Sequence, residues 1–331
     1  MFTIKPVMTH YLVPGATRHD TSFYHDVIRG LGAPQKKLDS KYFYDSIGDR
    51  LFQQLMSCKE YYPTQCELDI LSQQQSAIAT VIQEQLPEGF DLVELGAGDA
   101  TKSTYLLQQL LYNDNDYTYF PIDISANVIS TLERELPQRL PGLRLQGLQG
   151  EYFDMLQEAN ARSRRPKVVL FMGANIGNFT RAEAGHFCTA LRRLLKPGDL
   201  LMIGFDLKKH PAIILNAYND KEGITRAFNL NLLTRINREL GANFNVDAFA
   251  HYASYDPISG ACKSFLVSLE AQRVHIGEQV FRFKQDECID MEISLKYSQE
   301  DIDQLAMESG FTPVTRFYDP KKWFVDCIWK V

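Results

Sequence analysis

The sequence lacks the features that mark a metalloenzyme, a disulfide scaffold or a membrane protein. Its six cysteines, at 58, 66, 188, 262, 288 and 327, contain no C-x-x-C pair, so the common zinc and dithiol patterns are excluded. None of the seven histidines falls in an H-E-x-x-H array, and no metal site is expected. No apolar run is long enough to cross a bilayer, and the first twenty residues carry no apolar signal core. Positive charge is also short: the net charge is −6 and the pI about 5.7. Basic pairs such as Lys36-Lys37, Arg192-Arg193 and Lys208-Lys209 stand isolated, whereas a nucleic-acid partner requires a basic surface. These absences point to a cytoplasmic protein with reduced thiols and a small-molecule partner, without nucleic acid or membrane; a monomer is expected.

What is present is a large apolar core in a chain of 331 residues, 45% of them hydrophobic, enough for two domains. From Phe90 to Phe205 short β-rich runs alternate with helical stretches. Phe90 to Leu95, Tyr117 to Ile122, Leu143 to Leu148, Lys167 to Met172 and Leu200 to Phe205 read as strands. Helices are expected over about Thr101 to Tyr112, Ala126 to Leu136 and Arg181 to Leu195. This rhythm predicts a parallel sheet with helices on both faces. It breaks between about Lys208 and Asp290, where one helix over Asn216 to Leu240 and antiparallel strands near Lys263 to Ala271 and Glu278 to Phe283 are expected. A capped helix from Ser298 to Gly310 and a terminal strand pair, Pro313 to Tyr318 and Trp323 to Trp329, close the chain. A helix and terminal hairpin of this kind complete the seven-stranded, Rossmann-like sheet of class I methyltransferases. The fold class is therefore α/β, with a core over 65–207 plus 296–331. An inserted α+β substrate domain is expected over 1–64 plus 208–295.

The strongest local motif is Val93-Glu94-Leu95-Gly96-Ala97-Gly98. Glycines at 96 and 98 let the backbone turn sharply and approach a ligand. Position 101 is threonine, so the third glycine of a dinucleotide fingerprint is missing and an NAD enzyme is disfavoured. Glu94 before the loop and Asp123 at the end of the second strand favour S-adenosylmethionine, Asp123 as an acceptor for ribose hydroxyls. Asp123 also fits a helix N-terminal residue, and Tyr152 in Glu151-Tyr152-Phe153 fits the core as well as an adenine platform.

Several stretches resemble one family, the histidine Nα-methyltransferases that open ergothioneine biosynthesis. They are Lys41 to Gly48, Glu60 to Thr64, Gly96 to Gly98, Pro121 to Ser125, Gly173 to Phe179, Asp206 to Lys209, Ala217 to Asp220, Thr225 to Asn229 and Met291 to Lys296. The resemblance implies that Gly96, Lys102 and Asp123 hold the cofactor, with Glu151 and Tyr152 near the adenine. It implies that Tyr61, Asn178 and Tyr218 bind the substrate's amino-acid end, with Tyr44 near the amino group. Glu292 and Ser294 would hydrogen-bond an imidazole, with Thr225 close by. Two positions depart from the family pattern: Asn175 replaces a usual threonine or serine, and Ser264 lies where an apolar residue is common.

Read singly, each candidate has an ordinary structural explanation: Tyr61 and Tyr218 as packing, Glu292 as an exposed strand residue. Asn178 stands just beyond a strand of an open sheet, where ligands bind. The expected reaction is N-methylation of the α-amino group of histidine to the trimethylated betaine. The rivals are methylation of tryptophan or another aromatic amine, and a noncatalytic S-adenosylmethionine-binding regulator.

Overall fold

In the computed structural model, which describes residues 18–331, helices α1 (Arg18–Leu31) and α2 (Ser46–Met56) precede the long helix α3 (Tyr62–Gln85). Pro63 sits in the first turn of α3, where its missing N–H costs no hydrogen bond. The alternating region follows: β1 (Phe90–Leu95), α4 (Ser103–Tyr112), β2 (Tyr117–Asp123), α5 (Ala126–Arg139), β3 (Leu148–Gln149) and α6 (Tyr152–Arg162). It continues through β4 (Lys167–Phe171), α7 (Arg181–Leu194) and β5 (Leu200–Asp206). All residues of β1, β4 and β5 are buried, as expected of strands covered on both faces. Local chemistry starts the helices: Thr180 and Glu183 form a reciprocal cap on α7, and Ser125 caps α5.

Beyond β5 come α8 (Pro211–Tyr218) and α9 (Ile224–Leu240). The single helix expected over Asn216 to Leu240 is thus two. Asp220 accepts the amides of Ile224 and Thr225, both at 2.8 Å, and Gly223 takes φ +72°, so the chain turns and restarts. Five strands follow, β6 (Phe249–Tyr255), β7 (Ala261–Ser268), β8 (Gln272–Ile276), β9 (Gln279–Phe283) and β10 (Cys288–Leu295). They form a three-stranded sheet ordered β10-β7-β6 and a β8-β9 hairpin. The chain ends in α10 (Gln299–Glu308), β11 (Thr312–Tyr318) and β12 (Phe324–Lys330).

The main sheet has seven strands ordered β11-β12-β5-β4-β1-β2-β3. Strands β1 to β5 run parallel, and β12 inserts antiparallel between β5 and β11. This is the expected class I methyltransferase arrangement. The order reverses at β1, which lies between β2 and β4, so ligands are favoured beyond the carboxyl ends of those strands. The strand expected at Leu143 to Leu148 shrinks to β3, preceded by an isolated Tyr119–Leu145 bridge.

The chain divides into two compact units. One comprises 56–218, 255–262 and 293–331, and its core runs from Val93 and Phe120 through Phe171 and Phe205 to Trp329. The other comprises, among the described residues, 18–55, 219–254 and 263–292, cored by Phe23, Phe43, Phe228, Leu232, Phe249 and Ile289. The sequence-based boundaries differ: α8 belongs with the sheet, and 255–262 returns to it. The N-terminal arm expected over 1–64 begins in residues outside those described. Among the described residues no helix is long and apolar enough to cross a membrane.

Candidate active site

The glycine turn after β1 is built as its sequence requires. Gly96 and Gly98 take φ +74° and +54°, and a side chain begun at Gly98 would meet nothing within 4 Å. One begun at Gly96 would come 2.9 Å from the Tyr152 hydroxyl, which places the first turn of α6 against the loop. Asp123, at the end of β2, accepts the Gly98 amide at 3.2 Å and the Ser125 amide at 2.9 Å, one on each oxygen. A carboxylate oxygen has capacity beyond one such bond, so both remain able to accept ribose hydroxyls. An open glycine turn beside a strand-end carboxylate fits the nucleoside part of S-adenosylmethionine. Glu151 precedes α6 and is exposed.

Glu94 is buried in β1 and accepts the Tyr119 hydroxyl at 2.5 Å. Burial pushes its carboxyl up to about 7 against the opposing hydrogen bonds from Tyr119 and Ser103. Its place is beneath the loop rather than on its surface. Lys102 precedes α4 and is ion-paired with the fully buried Glu67 of α3, whose other oxygen accepts the Gly173 amide at 2.6 Å. Burial alone would lower the Lys102 pKa, but the Glu67 charge raises it and keeps the ammonium charged. The ammonium therefore lies beside Gly173, at the end of β4, with donors beyond the one given to Glu67.

The turn after β4 presents Asn178. Gly173 and Ala174 take positive φ, and a short 3-10 helix spans Asn175–Asn178. Asn175 uses its amide to donate to the Met172 carbonyl at 2.8 Å. Gly177 leaves no room for a side chain: a Cβ there would lie 2.9 Å from the Leu295 carbonyl and 3.7 Å from Ser294 Oγ. Asn178 is exposed at the end of this turn.

Tyr61 precedes α3, and its ring lies 6.0 Å from that of Tyr218, the last residue of α8, in an edge-on arrangement. Tyr218 Oη and Ser294 Oγ are 2.7 Å apart. Tyr61, Asn178, Tyr218 and Ser294 thus all belong to the sheet-bearing unit. Tyr44, Thr225 and Glu292 belong to the other. Tyr44 is 47% exposed, with its ring edge-on to Phe52 and Phe228. Thr225 is buried in the first turn of α9, and Ser264 is buried in β7. Glu292 is half-buried in β10, two residues before Ser294 and hence on the same strand face.

Sequence reasoning missed a set of buried charges. Asp206, at the end of β5, is paired with Lys209 and, at 2.7 Å, with Lys296. Burial raises its pKa, but the two ammonium groups outweigh that and hold it below the ordinary value. The Tyr62 hydroxyl donates to Asp206 at 2.8 Å and accepts from Lys209 at 2.9 Å. Asp326 in β12 is wholly buried, and burial together with the nearby Glu67 charge raises its pKa well above the ordinary value. The only signal was indirect: Asp206, Lys209 and Lys296 all lie in the stretches that carry the family resemblance. Among the described residues no group of three or more His, Cys, Asp or Glu is placed to hold a metal.

Comparison with known proteins gives the family. Residues 23–331 match the family described as histidine-specific methyltransferases, SAM-dependent. The chain is 34% identical to a histidine N-alpha-methyltransferase of Mycobacterium tuberculosis, over 91% of this chain and 90% of that protein. It is 31% identical to ergothioneine biosynthesis protein 1 of Neurospora crassa, over 85% of this chain and 32% of that longer protein. It is 28% identical to a 4-dimethylallyltryptophan N-methyltransferase of Claviceps fusiformis, over 88% and 87% of the two. The chain belongs to the S-adenosylmethionine-dependent, histidine-specific methyltransferase family.

Proposed function

We propose that this enzyme methylates the α-amino group of histidine three times, to the trimethylammonium betaine from which ergothioneine is made. The observation that carries the reading is the 2.7 Å contact between Tyr218 and Ser294, residues 76 apart in sequence. It unites a position implied for the amino-acid end with one implied for the imidazole.

The methyl donor supplies a sulfonium-activated methyl group, so the protein needs no strong acid or nucleophile. Its task is to hold an amine lone pair in line with that methyl carbon, which is catalysis by orientation. In our reading Tyr61, Asn178 and Tyr218 fix the amino-acid end, with Tyr44 near the amine. The amine must be neutral, a modest cost for a group with a reference pKa near ~8. Asn178 orients it without adding charge. After the third transfer the nitrogen has no N–H left, so this pocket must tolerate bulk rather than require a donor. Glu292 and Ser294, on one strand face, take the ring, and Thr225 lies close to it. Gly96, Gly98, Lys102, Asp123, Glu151 and Tyr152 hold the cofactor, with Glu94 supporting the loop from below.

We also propose a cytoplasmic monomer with no nucleic-acid or membrane partner. The net charge of −6 and the absence of C-x-x-C pairs support that reading. The test of the reaction is the structure of the product. Histidine incubated with S-adenosylmethionine should yield the Nα-trimethylated betaine by NMR; methyl groups on a ring nitrogen would overturn the proposal. Cofactor binding without turnover would favour the regulator instead.

A further inference from the structure

Glu67 in α3 has no exposed surface, yet each of its two carboxylate oxygens takes a donor from a different part of the chain. One is ion-paired with the Lys102 ammonium, at the start of α4. The other accepts the Gly173 amide at 2.6 Å, just beyond the end of β4. All three residues belong to the sheet-bearing unit. One planar group, carried on a third element, therefore spans the lysine and the turn.

The surroundings leave the negative charge on Glu67. A side chain begun at Gly204 in β5 would come 2.6 Å from Glu67 Oε1 and 3.0 Å from Asp326 Oδ1, so the two carboxyls flank a position that carries no side chain. Neither Asp326 oxygen has a hydrogen-bond partner among the described residues. Burial and the Glu67 charge hold the Asp326 pKa well above its ordinary value. Asp326 thus keeps its proton, and Glu67 is the counter-ion of Lys102. Gly173 in turn opens the segment that ends in Asn178. Gly173 and Ala174 both take positive φ, which for alanine is a strained conformation. The segment closes on itself through Asn175 to the Met172 carbonyl and the Gly177 amide to the Ala174 carbonyl, both at 2.8 Å. The bond to Glu67 anchors its start to α3. A buried ion pair adds little stability over apolar side chains of the same volume, so what this one supplies is geometry.

We propose that Glu67 is a positioning residue for methyl transfer: its carboxylate sets the Lys102 ammonium and the Gly173–Asn178 turn at a fixed spacing, and so links the cofactor side of the site to the amino-acid side. This rests on the reading that Lys102 holds the cofactor and Asn178 the substrate. Glutamine at this position has one accepting oxygen, so it serves one donor and not both. The charged ammonium claims that oxygen, and the glutamine amide then confronts the Gly173 N–H.

The test compares Glu67→Met, which removes both acceptors from an unbranched chain, with Glu67→Gln, by S-adenosylmethionine titration and kinetics with histidine. Glu67→Met should raise cofactor Kd about tenfold or more and lower kcat about tenfold or more. Glu67→Gln should leave Kd within about threefold of wild type and still lower kcat about tenfold, a split that general loss of stability does not produce. In a Lys102→Met background, Glu67→Met should change Kd by less than about twofold, because it acts on the cofactor through that lysine. Wild-type Kd and kcat in both Glu67 variants, or an equal effect on Kd with and without Lys102, would overturn the proposal. Loss of the fold in both variants would assign Glu67 to the core alone and also overturn it. Lys102→Met by itself tests the underlying reading: unchanged cofactor Kd would sink that reading, whereas a weakened Kd beside wild-type behaviour of Glu67→Met would overturn this inference alone. If wild type is inert toward histidine, the histidine reading falls and the cofactor titrations decide the role of Glu67.

Discussion

The Gly98 amide and the Asp123 carboxylate are joined by a 3.2 Å hydrogen bond that ties the glycine turn after β1 to the end of β2. The neighbouring strands β1 and β2 pair in parallel register, so the turn and the carboxylate emerge at the same sheet edge.

Asp123→Ala is therefore expected to weaken S-adenosylmethionine binding by about 1.5–3 kcal/mol, the worth of hydrogen bonds to a charged acceptor. Calorimetric titration of the folded variant measures this directly. Unchanged affinity would remove Asp123 from the site.

Tyr61→Phe and Asn178→Ala address the amino-acid anchor. Each should reduce kcat/KM for histidine by roughly tenfold or more, with cofactor affinity little altered. Wild-type kcat/KM in both variants would show that the anchoring positions are misassigned.

Glu94 should leave a mark on stability. Its folded pKa of about 7 lies above the ordinary 4.5, so the folded protein keeps a proton that the unfolded chain releases. The resulting contribution is complete below pH 4.5 and is lost as pH rises through about 7. A shift of that size corresponds to roughly 3 kcal/mol. Glu94→Gln cannot titrate, so its stability relative to wild type should improve between about pH 5 and pH 8. Urea denaturation at both pH values gives the answer; a constant gap would contradict the assignment.

Glu292→Ala should lose histidine selectivity while retaining S-adenosylmethionine binding. A charge-assisted hydrogen bond to the imidazole is worth about 1.5–3 kcal/mol, so histidine efficiency should fall at least about tenfold. Removing the carboxylate also removes a penalty on apolar rings, and weak use of tryptophan or phenylalanine is expected. Relative kcat/KM values for the three amino acids identical to those of wild type would make Glu292 an ordinary strand residue.

Much of this was legible in the sequence because apolar patterning and turn chemistry are local. The run Phe90 to Leu95 announces a strand buried on both faces, and the terminal helix and hairpin identify the sheet. The split between α8 and α9 was hidden because Tyr218 to Ile224 sits in an otherwise helical pattern, and only the double cap by Asp220 ends the first helix and begins the second. The buried charges were illegible for another reason. A lone Lys296 at a strand end reads as exposed, because nothing local shows that its partner Asp206 lies far along the chain. The same holds for Glu67 and Lys102, which are 35 residues apart. Such partners become visible only when the fold brings them together.

The central claim is that histidine is the amino acid methylated. Its most direct test is S-adenosylhomocysteine formation by the wild-type enzyme with each of the twenty amino acids in turn. The account predicts turnover with histidine far above that with any other amino acid, tryptophan included. An enzyme inert toward histidine, or one that prefers tryptophan, would contradict it.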